Sequence, residues 1–390
     1  MPEDLGIGLV GYAFMGRSHS HAWRTVGSFF DLPLKPRLAA ICGRNEEAVA
    51  AAAEQFRWGS YETDWRRLIE RDDVGLVDVC TPGSSHAEIS IAALEAGKHV
   101  MCEKPLANTV EEAEAMADAS AKAAVEGVRA MVAFNYRRVP AAAYARQLIA
   151  AGKLGDIRHV RAVYLQDWIV DPDFPLVWRL VAEEAGSGAL GDIGAHIVDL
   201  SQFLLGDRIA SVSALTETFI KERPLVGETS SGLGAAGRTE RGQVTVDDAA
   251  LFLSRFEGGA VGTFEATRFA TGRKNGLRIE VNGSKGSLVF DLERLNELEL
   301  YLPDEDTGVE GFRRILVTNS GDHPYIGAWW PPGHIIGWEH TFTHEAKDFI
   351  EAIAANENPS PSFAEGLQVQ RVLDAVVRSA EGGAWERVAA

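Results

Sequence analysis

Near the middle of the chain, residues 186–199 read GSGALGDIGAHIVD. In this stretch three glycines precede an acidic residue, Asp192, and a basic residue, His196, follows it. Asp192 and His196 are four positions apart, so on a helix they share one face and can act on one substrate group. Glycines before such a helix permit a close approach by backbone or by a bound molecule. A structural interpretation is equally open here, because Asp192 could cap the helix and His196 could be a buried core residue.

A single lysine follows an apolar segment farther upstream, where residues 99–105 read HVMCEKP. Ligands of open α/β sheets collect at the carboxyl ends of the strands, so Lys104 is a candidate for contact with a substrate or cofactor. Pro105 after it favours a rigid, half-buried position. The alternative is that Lys104 simply extends its charged end into solvent.

A glycine-containing turn, GYAFMG at residues 11–16, lies between the first apolar run and a helix pattern. In that position a dinucleotide pyrophosphate meets backbone N–H groups at the positive end of a helix. Gly11, Ala13 and Gly16 occupy the three fingerprint positions, with alanine in the middle one, and Phe14 and Met15 complete the turn. The string alone also fits a tight turn, but its place in the first βα unit predicts a nucleotide site.

The residues after the second predicted strand bear on which dinucleotide binds. NAD enzymes usually have Asp or Glu there for the ribose 2′-hydroxyl, whereas this chain has Gly43 and Arg44. Gly43 would leave room for a 2′-phosphate, and Arg44 could pair with it or stack on adenine. The alternative for Arg44 is a solvated arginine at a helix start. We therefore expect NAD or NADP, with a preference for NADP.

Composition excludes several classes of function. The 38 Lys and Arg residues face 56 Asp and Glu residues, and the net charge of −18 disfavours nucleic acid and anionic membranes as partners. Cys42, Cys80 and Cys102 lie in apolar runs without CxxC spacing, which predicts reduced core thiols. No residue cluster has the spacing of a metal-ligand set, so no metal is expected. The first apolar run, residues 5–10, is too short for a signal or a membrane span, so we expect a cytoplasmic protein.

The first third of the chain has the pattern of parallel βαβ units. Strands are predicted at residues 5–10, 37–42, 76–81, 99–103 and 128–134. Helices are predicted at residues 46–56 and 86–96, and a third begins at Thr109, where Glu112 completes a capping box. This pattern predicts a domain of the α/β class with a parallel sheet over residues 1–135, and the turn at residues 11–16 predicts that it binds a dinucleotide.

Residues 136–390 are predicted to form a second domain that is built on a mainly antiparallel sheet. Strands are predicted at residues 157–168, 209–220, 249–256, 260–269, 277–281 and 287–291, and helices at residues 192–205, 339–355 and 363–379. The last helix can pack back on the first domain. Residues 227–246, rich in Gly, Ser and Thr, are expected to form a surface loop, or else an oligomer arm or lid.

Taken together, these motifs resemble the glucose-fructose oxidoreductase, inositol dehydrogenase and MocA (Gfo/Idh/MocA) family. The resemblance rests on the turn at residues 11–16, on the EKP at residues 103–105, and on residues 186–199 in the form GxGALxDIGxHxxD. Residues 81–86, TPGSSH, also resemble the family's cofactor-side TPNxxH segment, with Gly83 in place of asparagine. The order and spacing of these motifs cover most of the chain.

The resemblance implies a doubly wound Rossmann domain over residues 1–135 and an αβ domain over residues 136–390, which is built on an open, mainly antiparallel sheet and serves substrate binding and oligomerisation. It also implies an oxidoreductase with a catalytic trio of Lys104, Asp192 and His196. Oxidation of a secondary alcohol removes the hydroxyl proton as hydride leaves the carbon, and an imidazole, with an unperturbed pKa of about 6.5, suits the general base. Lys104 would hydrogen-bond the same oxygen, while Asp192 would orient the imidazole or substrate and stabilise the imidazolium. Cofactor contacts are further implied for Thr81, Pro82, His86, Glu103 and Lys104.

A sugar-like substrate is favoured because several tryptophans of the second predicted domain could stack on its C–H faces. They include Trp168, Trp178, Trp329, Trp330 and Trp338. Residues 329–334 and 337–340 resemble the branch of the family that includes levoglucosan dehydrogenase. The resemblance also implies further substrate contacts from Asn135, Tyr136, Trp168, Arg179 and His340.

The sequence thus predicts an NAD(P)-dependent dehydrogenase of a monosaccharide, anhydrosugar or inositol, forming a homodimer or homotetramer through its open sheet. One alternative is a glycosidase that uses bound NAD for transient oxidation. Another is a non-catalytic protein that senses the dinucleotide. The proton-transfer set of Lys104, Asp192 and His196 argues against the sensor.

Overall fold

The structure is a computed structural model that describes residues 3–226, 237–303 and 306–389. The chain divides into two compact units, unit 1 with Met1–Asn135 and Gly337–Gln370, and unit 2 with Tyr136–Ile336 and Arg371–Ala390. The domain boundary predicted from the sequence and the boundary between the two units both lie after residue 135. They differ over residues 337–370, which the sequence predicts in the second domain and which the structure places in unit 1.

The strands form three sheets and are numbered in chain order. They are β1 (Glu3–Val10), β2 (Leu34–Cys42), β3 (Tyr61–Glu62), β4 (Leu76–Val79), β5 (His99–Cys102), β6 (Ala130–Val132), β7 (Ile157–Leu165), β8 (Ile209–Glu217), β9 (Glu222–Val226), β10 (Gly237–Gln243), β11 (Ala249–Phe256), β12 (Val261–Thr267), β13 (Gly276–Gly283), β14 (Ser287–Asp291), β15 (Glu297–Tyr301), β16 (Arg313–Leu316) and β17 (Glu386–Arg387).

The helices are numbered in the same way. They are α1 (Phe14–Phe29), α2 (Glu46–Phe56), α3 (Trp65–Ile69), α4 (His86–Glu95), α5 (Val110–Val125), α6 (Pro140–Ala150), α7 (Ala182–Ala185), α8 (Ala195–Leu205), α9 (His340–Ala355) and α10 (Phe363–Gly382). A single π-helical turn, Leu190–Gly194, leads directly into α8.

Unit 1 contains a parallel six-stranded sheet in the order β3-β2-β1-β4-β5-β6. All four residues of β4 are buried, as expected for a strand with helices on both sides. The predicted Rossmann architecture is confirmed.

Local signals fix the helix ends in unit 1. The side chain of Asn45 accepts the N–H of Ala48 at 2.9 Å, so α2 begins where the sequence predicts. The predicted capping box of α5 is also present, since the hydroxyl of Thr109 accepts the N–H of Glu112 and the Glu112 carboxylate accepts the N–H of Thr109.

The segment 337–370 joins unit 1 because α9 has an apolar face that packs on the core. Phe342, Ala346, Phe349 and Ile350 are buried in one cluster with residues of β1 and α1, including Trp23. Burying several such side chains stabilises by about 1.5–3 kcal/mol each. That contact was not visible in the linear order of the chain.

Unit 2 contains a nine-stranded sheet in the order β16-β15-β14-β13-β7-β12-β11-β8-β17. The pair β7 and β12 is parallel and the other neighbouring pairs are antiparallel, so the mainly antiparallel prediction is confirmed. Strand β10 lies within residues 227–246, where a loop was expected, and it pairs antiparallel with β9, which ends just before that segment. Residues 227–236 of that segment lie outside the described part of the chain.

One face of the nine-stranded sheet carries exposed apolar side chains. In β11, buried and exposed residues alternate, and the exposed positions include Leu251 and Leu253. Leu215 on β8 lies directly across from Leu251, and Val261 on β12 is also exposed. We call these four side chains the leucine face.

The three cysteines are buried and form no disulfide, as the sequence predicts. Burial raises the pKa of the Cys42 thiol to about 12, so it stays protonated. Among the described residues, no helix combines the length and the apolar character that crossing a membrane would need.

Candidate active site

The turn before α1 has the geometry of an anion-binding site. Gly11 has a φ of 104°, which favours glycine, and a Cβ on Gly16 would lie 1.9 Å from the carbonyl oxygen of Gly11. No side chain caps the helix at Ala13, and no carboxylate lies in its first turn. The helix start therefore presents backbone donors with no competing anion, which fits a dinucleotide pyrophosphate.

Two further residues of this turn, Phe14 and Met15, pack against other side chains of unit 1. Phe14 is 56% exposed and stacks on Trp338, with ring centroids 5.6 Å apart and planes 9° apart. Met15 packs against the buried core. The sequence places Trp338 in the second domain, whereas the structure places it beside the nucleotide turn in unit 1.

The structure gives Gly43 a packing role. A Cβ at this position would lie 2.0 Å from the ring of Tyr12, so the missing side chain makes room for that ring. Arg44 is exposed just before the cap of α2. The observation that led us to expect NADP therefore has a sufficient explanation in local packing.

The segment after β4 is held by a buried histidine. His86 is 1% exposed, and its Nδ1 and Nε2 lie 3.0 and 2.9 Å from the carbonyl oxygens of Pro105 and Thr81. Two carbonyl acceptors require protons on both ring nitrogens. Burial lowers the pKa of His86, but Cys102 and the Thr81 carbonyl outweigh burial and raise the pKa to about 9. His86 thus joins the segments after β4 and β5.

The departure from the TPNxxH pattern also has a local cause. A Cβ on Gly83 would lie 2.2 Å from the side-chain oxygen of Asn108, so a larger residue here would require the Asn108 side chain to move. Pro82, next to Gly83, has an extended backbone and half-buried side chain. The change therefore reflects a neighbour within unit 1.

Lys104 is half-buried at the carboxyl end of β5, as its setting in the sequence predicts. The preceding residue supports it, because Glu103 Oε2 accepts the backbone N–H of Lys104 at 3.0 Å. The other oxygen of Glu103 lies 3.0 Å from Nε2 of His19. Glu103 is 4% exposed, so its carboxylate supports Lys104 from within unit 1.

A buried polar cluster beneath this strand end was not found from the sequence. His19 Nδ1 lies 2.9 Å from Asp78 Oδ2, and the indole N–H of Trp23 donates to the same carboxylate at 2.6 Å. Cys80 Sγ lies 3.5 Å from Asp78 Oδ1. His19, Asp78 and Cys80 are a possible metal-ligand group by position, with ligand atoms within 4.8 Å of one another. Hydrogen bonds already satisfy the two His19 nitrogens, which is the simpler account of the cluster.

In unit 2, Asp192 and His196 lie on successive turns, the first on the π-helical turn and the second on α8. The sequence predicts one helix from residue 192, with Asp192 as a possible cap. That capping role is wrong, because the positions before the π turn and before α8 are Ala189 and Gly194, and neither has a side-chain cap. His196 is 7% exposed.

Aromatic rings hold His196 in place. The ring of Tyr136 lies 4.5 Å from that of His196, and Tyr164 lies 5.9 Å away. The two tyrosine hydroxyls are 2.9 Å apart. Burial, followed by the proximity of Tyr136 and Asp192, raises the pKa of Tyr164 well above its usual value, so this phenol stays protonated.

A row of hydrogen bonds continues from these tyrosines. The Tyr164 hydroxyl donates to Asn275 Oδ1 at 2.7 Å, and Gln166 donates to the same oxygen at 2.9 Å. The indole N–H of Trp168 donates to Gln166 at 3.0 Å. Unit 2 thus brings together four predicted residues, Tyr136, Trp168, Asp192 and His196. Tyr164, Gln166 and Asn275 were missed because only tertiary contacts reveal them.

Three other predicted substrate contacts have different surroundings. Asn135 is 3% exposed and donates its amide to the hydroxyl of Thr341 within unit 1. Arg179 places its guanidinium 4.3 Å from the ring centre of the adjacent Trp178. His340 accepts the N–H of Gly337 at 3.1 Å, which fixes the start of α9. Their contacts with substrate stay predictions.

Comparison with known proteins agrees with the fold. Residues 5–134 match the family model described as "Oxidoreductase family, NAD-binding Rossmann fold", and residues 142–289 match the one described as "GFO/IDH/MocA C-terminal domain". The chain is 44% identical over 387 residues to levoglucosan dehydrogenase of Pseudarthrobacter phenanthrenivorans, covering 98% of each protein.

Solved structures of similar proteins have the same fold. An oxidoreductase domain protein from Kribbella flavida is 64% identical, with a TM-score of 0.95 and full coverage of both chains. Levoglucosan dehydrogenase in complex with NADH and levoglucosan is 43% identical, with a TM-score of 0.93 and full coverage of both chains.

Proposed function

The chain belongs to the Gfo/Idh/MocA family of oxidoreductases, and from that premise we propose that it oxidises a secondary alcohol of levoglucosan or a similar anhydrosugar with NAD. The observation that carries this proposal is the likeness to levoglucosan dehydrogenase over 98% of both chains. Because the likeness extends over both units, it includes the nucleotide turn as well as the residues around His196.

We propose NAD in place of the NADP preference expected from the sequence. A similar solved protein carries NADH, and the family model over residues 5–134 is described as NAD-binding. Neither supports a preference for NADP. The ring of Tyr12 accounts for Gly43 without a 2′-phosphate. When bound at the turn of residues 11–16, the dinucleotide would supply the hydride acceptor.

In the proposed reaction, His196, Lys104 and Asp192 each have a different role. As hydride leaves the carbon with its electron pair, the hydroxyl proton passes to the neutral imidazole of His196. Lys104 is proposed to donate a hydrogen bond to a substrate oxygen and to stabilise the charge that develops on it. Asp192 stabilises the imidazolium that results. The Tyr164 phenol, held protonated, stays a hydrogen-bond donor throughout.

Absorbance at 340 nm tests this function directly. Purified protein is incubated with NAD or NADP and with levoglucosan, aldoses or inositols, each in turn. We expect reduction of NAD with an anhydrosugar. If the dinucleotide binds and no sugar reduces it, the proposal fails, and the NAD-dependent glycosidase or the sensor replaces it.

We also propose that the leucine face is covered by another copy of the chain. Four exposed apolar side chains on neighbouring strands form a patch that a soluble monomer rarely leaves open. A symmetric pair of sheets would cover it in a homodimer, and a homotetramer would repeat the contact.

A further inference from the structure

A buried guanidinium lies behind the carboxylate of Asp192. Arg268, the residue after β12, has a fully buried side chain, whereas the side chain of Asp192 is 26% exposed. Nη1 of Arg268 lies 3.5 Å from Oδ2 of Asp192. A guanidinium is charged at any pH that a folded protein meets, so a permanent positive charge faces this carboxylate.

Neighbouring groups hold Arg268 in one orientation. Nη2 lies 3.3 Å from the carbonyl oxygen of Asp247, and the backbone N–H of Arg268 donates to the carbonyl of Asp248 at 3.1 Å. The guanidinium carbon lies 5.4 Å from the ring centre of Trp168, within the range of a cation–π contact. Arg268 therefore has little freedom to move away from Asp192.

The loop between β10 and β11, which includes Asp247 and Asp248, also holds the turn that carries Asp192. The carboxylate of Asp247 accepts the N–H groups of Gly188 and Leu190, at 2.7 and 2.8 Å. A Cβ on Gly188 would lie 1.7 Å from the carbonyl oxygen of Asp247 and 2.9 Å from Nη2 of Arg268. The glycine in the GxG string is thus needed for the close approach of this loop.

We propose that Arg268 is a positioning residue that holds the Asp192 carboxylate in one orientation beside His196. The inference rests on the proposed function, since it assigns Arg268 a part in that reaction. A π-helical turn is often found at functional sites, and the turn that leads into α8 carries a carboxylate that faces a fixed cation. Arg268 would therefore act through Asp192 and would not touch the substrate.

Four variants test whether Arg268 acts through Asp192. Arg268→Gln removes the charge, Arg268→Lys keeps it, and Asp192→Asn removes the carboxylate, alone and together with Arg268→Gln. We expect Arg268→Gln to lower kcat about 10- to 100-fold while the Kd for NAD is unchanged, because misplacing one reacting group is enough for such a loss. Arg268→Lys should recover most of that loss.

The double variant separates positioning from a merely structural role. If Arg268 acts through Asp192, then Arg268→Gln lowers kcat no further once Asp192→Asn is present. Equal losses of kcat in both backgrounds, or wild-type kcat in Arg268→Gln, would overturn the proposal. Arg223→Gln is the matched control, because Arg223 is equally buried and binds the carbonyl oxygens of Ile169 and Asp171 instead of Asp192. We expect it to keep wild-type kcat.

Thermal unfolding of the same variants gives a readout that needs no turnover. We expect Arg268→Gln to lower Tm less in the Asp192→Asn background than in the wild type, because the pair has already been broken. Additive shifts of Tm would show that the two side chains are not coupled and would overturn the proposal. If no sugar reduces NAD in the wild type, the proposed function fails, and these Tm shifts still decide whether the pair exists.

Discussion

Nε2 of His19 lies 3.0 Å from Oε1 of Glu103, the residue that precedes Lys104. On its other side, Nδ1 of His19 lies 2.9 Å from Asp78. Burial by itself would lower the pKa of His19, but Asp78 and Cys80 raise it well above its usual value. A buried imidazolium therefore connects α1, which begins at the nucleotide turn, to the strand end that presents Lys104.

Replacing this imidazolium should destabilise unit 1 strongly. We expect His19→Asn to lower the unfolding free energy by about 3–5 kcal/mol, because two buried carboxylates lose their shared cation. Urea unfolding at pH 7 measures the change. His21→Asn, on the same helix but half-buried, is the control and should shift stability by no more than about 0.5 kcal/mol. Similar losses in both variants would contradict the role given to His19.

Local patterns predicted most of the regular elements. Helix α2 and strands β11 and β14 have the bounds expected from the sequence. Periodicity and caps lie within each segment, so they are visible in the linear sequence. Strand β17 was missed because two residues carry too little pattern. Strands β15 and β16 were missed because each has two charged residues, which break up the apolar run.

The supporting side chains of the site could not be predicted in the same way. The π turn at residues 190–194 is held by Asp247, which lies 57 positions beyond Leu190. His19 meets Glu103 across 84 positions. Lys104, Asp192 and His196 stand in recognisable motifs, whereas residues such as Arg268 act only through tertiary contacts that no local pattern encodes.

His86 should make stability depend on pH. Its pKa is raised to about 9 in the folded chain, against about 6.5 when unfolded, so its contribution is complete below pH 6.5 and is lost as the pH rises through 9. The contribution is on the order of 3 kcal/mol. We expect the difference in unfolding free energy between wild type and His86→Gln to shrink between pH 6 and pH 9.5. A difference that stays constant over this range would show that His86 is neutral when folded.

The candidate catalytic side chains should affect turnover more than folding. We expect Lys104→Ala and His196→Ala each to lower kcat about 10²- to 10⁴-fold, because each removes a group that handles the alcohol proton or the charge on its oxygen. Circular dichroism should show intact folding in both. Lys122→Ala, on the exposed side of α5, is the matched control and should keep wild-type kcat. Near-wild-type turnover in both alanine variants would refute the trio.

Cofactor preference can be tested at Arg44. If NAD is the cofactor, wild-type kcat/KM is higher with NAD than with NADP, and Arg44→Ala changes the NAD value by less than about twofold, since its charge has no phosphate to pair with. Steady-state rates at 340 nm with each dinucleotide give both ratios. If the wild type prefers NADP, and Arg44→Ala lowers kcat/KM strongly with NADP but not with NAD, then the NADP preference predicted from the sequence is correct. Gly43→Asp is less informative, because its side chain would collide with Tyr12.

The leucine face should determine the oligomeric state. Leu251 and Leu253 are 41% and 51% exposed on β11, an interior strand of the nine-stranded sheet. We expect the double substitution Leu251→Glu and Leu253→Glu to convert a dimer or tetramer to a 42.2 kDa monomer, because burying four carboxylates across a symmetric contact is strongly unfavourable. Light scattering during size-exclusion chromatography measures the mass. Val125→Glu, at an 83% exposed position on α5, controls for added charge and should leave the mass unchanged. A wild-type protein that is already monomeric would mean that this face is not an interface between copies.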